Sequence, residues 1–222
     1  MLSDFFKDLS EEDLKELSRH KKDVRYKKGE NLFHEGTQAF GLYLIISGHA
    51  KLYKRGIDGK QQILRIAGPG DIVGYRSLFE NAPYHVSAQA LEDSEICCMD
   101  AKAILSLLET NPKFAVALLK RLVKDFVASE ELTTSIAQRP VRERMAKLLL
   151  MLKDSYGRPS EQGVLIEIQL SREEIGEMIG VTRETATRLL SQFQREGLIA
   201  LKDREITILN SEVLTNTARI EL

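Results

Sequence analysis

Along this 222-residue chain the spacing of apolar and polar residues changes twice. Residues 4–20 read as a short amphipathic helix. Ser10-Glu11-Glu12-Asp13 offers an N-cap followed by an acidic first turn, and Leu14 and Leu17 share one face. From about Val24 to Met99 the apolar residues come in short strand-like runs: Asn31–Phe33, Leu42–Ile46, Ala50–Tyr53, Gln62–Ile66, Val86–Leu91 and Glu95–Met99. Glycines at 29, 36, 41, 48, 56, 59, 68, 70 and 74 punctuate them. Many short strands with glycine turns at this spacing predict an all-β sandwich or barrel. Pro69-Gly70-Asp71 predicts a turn, because Pro fixes φ and Gly accepts a positive one.

Beyond Met99 the helical period takes over. Asp100 caps a short helix over Ala101–Glu109, which Asn111-Pro112 ends. A long helix follows, roughly Lys113–Gln138. Its residues Ala115, Leu119, Leu122, Phe126, Ser129, Thr133 and Ile136 alternate by four and three, the heptad spacing of a coiled-coil seam. Leu118 and Val123 widen the stripe, as packing on a core would. Both readings fit, and the spacing favours a dimer seam. Arg139-Pro140 breaks the helix. Next are a helix over Val141–Lys153, a polar loop around Gly157-Arg158-Pro159-Ser160, a strand over Val164–Ile168, two helices and a hairpin. The class is α+β. The expected domains are a β-rich domain over 1–112, a long linking helix over 113–138 and a mixed helix–hairpin domain over 139–222.

Composition narrows the function by exclusion. The chain is 43% hydrophobic and 29% charged, enough to build a core. No apolar run reaches the ~18 residues of a membrane span. The acidic N-terminus lacks the basic start and apolar middle of a signal peptide, so a cytoplasmic protein is expected. Cys97 and Cys98 are the only cysteines; as strand neighbours they point to opposite faces and do not bridge. They form no ligand set with the scattered His20, His34, His49 and His85, so no metal is expected. There is no nucleophile–base set and no phosphate-cradling loop, which argues against an enzyme. The net charge of −1 does not by itself point to nucleic acid.

Local pattern does. Ser171 and Glu174 have capping-box spacing at the start of one helix, and Ile175, Met178 and Ile179 give its apolar face. Gly180 lets the chain reverse, and Thr182 caps a second helix whose inner face is Ala186, Leu189, Leu190 and Phe193. Two short helices joined this way form a helix-turn-helix. The outer face of the second carries Thr182, Arg183, Glu184, Thr187 and Arg188. The N-terminal part of that helix enters the major groove in such motifs. Arg can bind guanine O6 and N7 bidentately, and Glu can accept from cytosine N4. Thr182, Arg183, Glu184 and Arg188 are therefore the candidate base readers. Ser171, Arg172, Thr185, Thr187 and Lys202 are the candidate phosphate contacts. Lys202-Asp203-Arg204, between two apolar runs, reads as the turn of a wing. The competing reading of the Arg/Glu face is a solvated surface with local ion pairs.

The string LSREEIGEMIGVTRETATRLLSQFQREGLI closely resembles the helix-turn-helix of the catabolite activator/fumarate-nitrate regulator (Crp/Fnr) family. KKGENLFHEG, GLYLIISGHAKLY and GPGDIVGYRSLF are similar to that family's jelly-roll effector domain. The resemblance covers nearly the whole chain. It implies an N-terminal, cyclic-nucleotide-binding-like jelly roll, a long dimerisation helix and a C-terminal winged helix-turn-helix. It places the family's base-reading Arg, Glu and Arg on Arg183, Glu184 and Arg188. It implies a homodimer on double-stranded DNA with a two-fold symmetric operator, with RNA polymerase as a further partner.

The effector segment departs from the family pattern. Where the family's cyclic-nucleotide binders have Gly-Glu-Leu, this chain has Gly74-Tyr75-Arg76-Ser77. Where they have Arg-Ser/Thr-Ala, it has Val86-Ser87-Ala88. The ribose-binding Glu is a Tyr and the phosphate-pairing Arg is a Val. A buried phosphate without a bidentate cation is poorly compensated. The expectation is a tentative pocket around these residues and Ser129, with an unknown effector or none, and no response to cAMP. No cofactor is expected. The alternative is a cyclic-nucleotide-binding module whose winged helix contacts protein.

Overall fold

A computed structural model of the chain describes Phe6 and residues 9–219. Residues 1–5, 7, 8 and 220–222 lie outside the described residues. With them go part of the helix predicted from residue 4 and both ends of the expected domain ranges. The chain divides into two compact units, Met1–Ser129 and Glu130–Leu222.

The first unit is built on eight strands: β1 (Lys21–Tyr26), β2 (Asn31–Phe33), β3 (Gly41–Ser47), β4 (Ala50–Arg55), β5 (Gln61–Ala67), β6 (Ile72–Val73), β7 (Ser87–Ala90) and β8 (Ser94–Asp100). They form two antiparallel sheets in the orders β1-β8-β3-β6 and β2-β7-β4-β5, the interleaved order of a jelly roll. Strand alternation divides the apolar residues between two cores. On β3, Tyr43 and Ile45 face the space between the sheets, with Phe33, Leu52, Val73, Tyr84, Val86 and Ile96. Leu42 and Leu44 face the other way, onto a core shared with helices α1 (Glu11–Arg19), α2 (Tyr75–Glu80), α3 (Ala101–Thr110) and the start of α4 (Pro112–Gln138). Cys97 and Cys98 obey the same rule and belong to different cores. Burial pushes the Cys97 thiol up to about 12, with Asp23 adding to the rise.

Both predicted caps in this unit form. Ser10 and Asp13 cap α1 reciprocally, and the Asp100 carboxylate accepts the Lys102 and Ala103 amides. Three elements were not predicted. β1 reads KKDVRY and is mostly exposed, so it lacks an apolar period; β6 has two residues; α2 has six. Helix α4 is continuous over 27 residues. Phe114 and Leu118 are buried in the core shared with the helices, whereas Val116, Leu119, Val123, Phe126 and Val127 are exposed.

The second unit contains the end of α4, then α5 (Val141–Tyr156), β9 (Gly157–Ser160), β10 (Gly163–Ile166), α6 (Arg172–Ile179), α7 (Arg183–Arg195), β11 (Ile199–Lys202), β12 (Glu205–Ile208) and α8 (Ser211–Ala218). Its sheet has the order β11-β12-β10-β9. The polar loop predicted at Gly157–Ser160 is instead the edge strand β9, paired with β10. All four residues are exposed, so no apolar alternation betrays them, and an edge strand tolerates Pro159. Helix α8 was also unpredicted; Asn210 caps it by accepting from the Val213 amide. Arg144 donates to the Ile136 carbonyl at 2.8 Å, occupying one of the acceptors left over at the end of α4.

Among the described residues, no helix is long and apolar enough to cross a membrane. Nor is there among them a group of three or more His, Cys, Asp or Glu arranged to hold a metal.

Candidate nucleic-acid interface and buried pocket

Helices α6 and α7 form the predicted pair. The Ser171 hydroxyl accepts the Glu174 amide at 3.1 Å, and the Glu174 carboxylate accepts the Ser171 amide at 2.8 Å, so two orphan donors of α6 are satisfied. Gly180 closes α6 with φ +69, the left-handed conformation that a residue with a Cβ rarely adopts. Thr182 caps α7 by accepting the Thr185 amide at 3.3 Å. Sequence reasoning missed Gly176. A Cβ there would lie 2.7 Å from the Val181 carbonyl, so only glycine lets the turn fold back on α6. The available signal was a glycine inside a helical pattern, which usually has a packing reason.

The two faces of α7 are sharply divided. Ala186, Leu189, Leu190 and Phe193 are buried, and Arg142 of α5 stacks over Phe193 with 4.7 Å between guanidinium carbon and ring centroid. On the opposite face Thr182, Arg183, Glu184, Thr187 and Arg188 are exposed. Among the described residues no salt bridge engages Arg183 or Arg188, although Arg183 acts on Glu184 electrostatically. The Glu184 carboxyl is held below its usual range by its own backbone amide, by the Thr182 hydroxyl and by Arg183, so it is an ionised acceptor at neutral pH.

The remaining predicted contacts divide by what already occupies them. Thr187 donates its hydroxyl to the Arg183 carbonyl, and Thr185 is half-buried against the Thr182 hydroxyl. The Ser171 hydroxyl is used in the cap. Lys202 is exposed at the end of β11, where the two-residue loop Asp203-Arg204 joins it to β12. Arg172 is half-buried and donates to the Asp203 carbonyl at 3.1 Å.

In the first unit, Gly74, Tyr75, Arg76, Ser77 and Val86 line one cavity, together with Phe33, Arg65, His85 and Asp125. Ser87, Ala88 and Ser129, predicted with them, do not line it. The Ser87 hydroxyl accepts the Glu35 amide, Ala88 is fully buried between the sheets, and Ser129 is exposed on α4. The cavity is only about 10 Å3, room for roughly one water. Side chains fill the rest. Tyr75 donates its hydroxyl to Asp125 at 2.6 Å, and Arg121 donates to Asp125 at 2.9 Å and also to Asp71. Arg65 stands 3.6 Å from Asp125 and donates to the Ile72 carbonyl at 3.0 Å. Burial and the Asp125 contact raise the Tyr75 pKa, so the phenol remains a donor. Two cations, two carboxylates and a phenol thus satisfy one another between α2, β5 and α4. Sequence reasoning found only Tyr75 of these five; the Arg121/Asp125 pair, four apart on a helix, was the readable signal.

On α4, Leu119 and Phe126 of the predicted seam are exposed, whereas Leu122 is half-buried against the core shared with the helices. Ser129 and Thr133 are exposed and Ile136 is half-buried. Val116, Val123 and Val127 extend the exposed stripe.

Comparison with known proteins adds an independent line. Residues 23–111 match the cyclic nucleotide-binding domain family and residues 143–217 the Crp-like helix-turn-helix domain family. The chain is 30% identical over 203 residues, 91% of each sequence, to the CRP-like cAMP-activated global transcriptional regulator of Mycobacterium tuberculosis. It is 29% identical over 214 residues to the fumarate and nitrate reduction regulatory protein of Salmonella typhi, covering 95% of this chain and 84% of that one. Among solved structures, FixK2 from Bradyrhizobium japonicum superposes with a TM-score of 0.82 at 23% identity, covering 91% of this chain and 99% of that one. The c-di-GMP-responsive regulator CLP of Xanthomonas campestris gives 0.80 at 23%, covering 90% and 100%. At such identities the structural likeness speaks for the fold alone.

Proposed function

The chain belongs to the Crp/Fnr family of DNA-binding transcription regulators, and from that premise we propose that it acts as a homodimer, reads a two-fold symmetric DNA site through the major groove, and is not controlled by cAMP. The observation that carries the DNA reading is the divided surface of α7. Four apolar side chains anchor it, and Arg183, Glu184 and Arg188 stand out on the other side. In this reading Arg183 and Arg188 donate to guanine edges, Glu184 accepts from cytosine, and Thr182 adds a contact at the helix start. Thr185, Thr187, Ser171 and Lys202 lie around that face as backbone contacts. RNA polymerase as a further partner and the cytoplasm as compartment follow from the family.

The homodimer rests on α4, whose exposed stripe of Val116, Leu119, Val123 and Phe126 has coiled-coil spacing. The cAMP proposal rests on the cavity. The Mycobacterium tuberculosis relative is named as cAMP-activated. Here Tyr75 fills the ribose-binding position, Val86 replaces the phosphate-pairing Arg, and about one water's room remains. Arg65 and Arg121 are already committed to Asp71 and Asp125. The site offers a cyclic nucleotide neither the space nor the partners in register.

Selection of bound duplexes from random DNA, with and without millimolar cAMP, tests all three parts. The expected product is a palindromic consensus whose half-sites lie about 10 base pairs apart, identical under both conditions. A single asymmetric half-site would remove the dimer, and a cAMP-dependent gain would overturn the pocket reading. Absence of any enriched sequence would favour a winged helix that contacts protein.

A further inference from the structure

The wing that carries Lys202 and Arg204 ends in a tight, exposed turn. Its loop is only Asp203-Arg204, and Asp203 takes φ +53 although it is not a glycine. β11 is an edge strand, paired with β12 alone. What reaches the loop from outside the hairpin is Arg172, the first residue of α6, whose Nη2 donates to the Asp203 carbonyl at 3.1 Å. Its Nη1 is buried without a hydrogen-bond partner. One terminal nitrogen is therefore committed to the wing and the other is shielded from solvent, so the two present no open fork to a phosphate. Burial also lowers the guanidinium pKa, so holding this cation under the wing carries a desolvation cost.

We infer that Arg172 is a positioning residue. It pins the wing loop to the first turn of α6 and so sets where Lys202 and Arg204 meet DNA, without contacting a phosphate itself. This rests on the DNA-binding reading above. It assigns Arg172 a different role from that expected of a basic residue at a helix N-terminus. The affinity Arg172 provides is then the affinity of the wing charges, delivered through the Asp203 peptide. Base choice by α7 does not depend on it.

Two measurements on the full-length protein decide it. The first is amide hydrogen exchange across Lys202–Glu205 without DNA. Arg172→Met should speed exchange there by about tenfold, the scale of losing one charge-assisted hydrogen bond, and leave α7 unchanged. If Arg172→Met fails to fold, Arg172→Leu serves, since it likewise has no donor for the Asp203 carbonyl and the same local loosening is expected. Unchanged wing exchange in a folded variant overturns the inference. The second is a double-mutant cycle on DNA affinity between Arg172→Met and the pair Lys202→Ala/Arg204→Ala. A positioning role predicts that the losses overlap, so the combined variant binds about as weakly as the wing variant alone. An independent phosphate contact predicts that they multiply, with the salt slope falling by about 0.9 further for the added charge, and that result overturns the inference. Failure of the unmutated protein to bind any DNA would count against the DNA reading, and the exchange result would still judge the wing.

Discussion

Tyr75 on α2 donates its hydroxyl to Asp125 on α4 at 2.6 Å, across the floor of the cavity where the family resemblance would place a nucleotide. Asp125 also accepts from Arg121, and Arg121 reaches Asp71 in turn. One residue of the effector segment is therefore bonded directly to the long helix, with no small molecule between. In a pocket that needed a ligand to join these elements, the corresponding polar groups would be expected to lie apart.

Removing the Tyr75 hydroxyl should accordingly weaken the first unit. Tyr75→Phe keeps the ring and takes away one hydrogen bond to a largely buried carboxyl group, worth about 1.5–3 kcal/mol. Asp125→Ala removes the acceptor of the Tyr75 and Arg121 hydrogen bonds together with the Arg65 ion pair, for a larger loss of about 3–5 kcal/mol. Chemical denaturation followed by a probe in the first unit should give these losses, with the double variant less damaged than their sum. Strict additivity would show that Tyr75 and Asp125 do not act through one network.

The base-reading assignment predicts a pattern across sequences, not just a loss. Arg183→Ala should weaken binding to the selected site by about 1–3 kcal/mol and relax preference at one base pair of each half-site. Binding to random DNA should hardly change. An equal loss on specific and random duplexes would make Arg183 a general backbone contact.

The helix-turn-helix could be read from sequence almost whole because each local signal agrees with the others. Ser171/Glu174, Gly180 and Thr182 punctuate a strict helical period, and the same residues make the caps in the fold. Strands were readable where they are buried, as in β3 and β4, and not where they are exposed, as in β1 of the first unit and β9 of the second. The pocket network was out of reach for a different reason. Arg65, Asp71 and Tyr75 come from separate elements, and only tertiary folding brings them to the Arg121/Asp125 pair of α4. What sequence did show was the departure at Tyr75 and Val86, without what had taken the ligand's place.

Gly176 offers a test of the turn in which the sign itself is informative. In an ordinary helix interior, Gly→Ala stabilises by roughly 0.5–1 kcal/mol. Here the new Cβ would sit 2.7 Å from the Val181 carbonyl, whose own amide donates back to Gly176 at 2.9 Å. Gly176→Ala should therefore destabilise the second unit by about 1–3 kcal/mol and cut specific DNA binding. A stabilised variant with full affinity would show that the close approach at the turn is not required.

Acid should weaken the second unit through Glu196. Two hydrogen bonds from Arg142, at 3.0 and 2.6 Å, hold its carboxyl below the usual range, with Gln192 assisting. A carboxylate with a depressed folded pKa stabilises the fold above its unfolded value. That contribution is lost as pH falls through the folded pKa. Melting temperature should thus be level from pH 7 to about 5 and fall below about pH 4.3, the unfolded range of Glu. Arg142→Gln should make the acid limb shallower. Glu184 is depressed as well, so sequence preference should be the same at pH 6 and pH 8.

One buried and one exposed residue of α4 separate the dimer seam from core packing. Leu118 is 1% exposed and Phe126 is 62% exposed, eight residues along the same helix. If the exposed stripe is the seam, Phe126→Asp removes two buried rings per dimer, each worth about 1.5–3 kcal/mol. The dimer dissociation constant should then rise by roughly a hundredfold or more, while the monomer remains folded. Leu118→Ala should do the reverse, costing the first unit about 2–5 kcal/mol of folding stability without making the folded protein monomeric. Sedimentation equilibrium alongside thermal unfolding reads both. If Phe126→Asp leaves the association state unchanged, the stripe is not the interface. If Leu118→Ala alone dissociates the protein, the seam runs along the face assigned here to the core. In either case the palindromic site would need a different source of two-fold symmetry, because each half-site is read by one copy of α7 and something must hold the two copies about one helical turn apart.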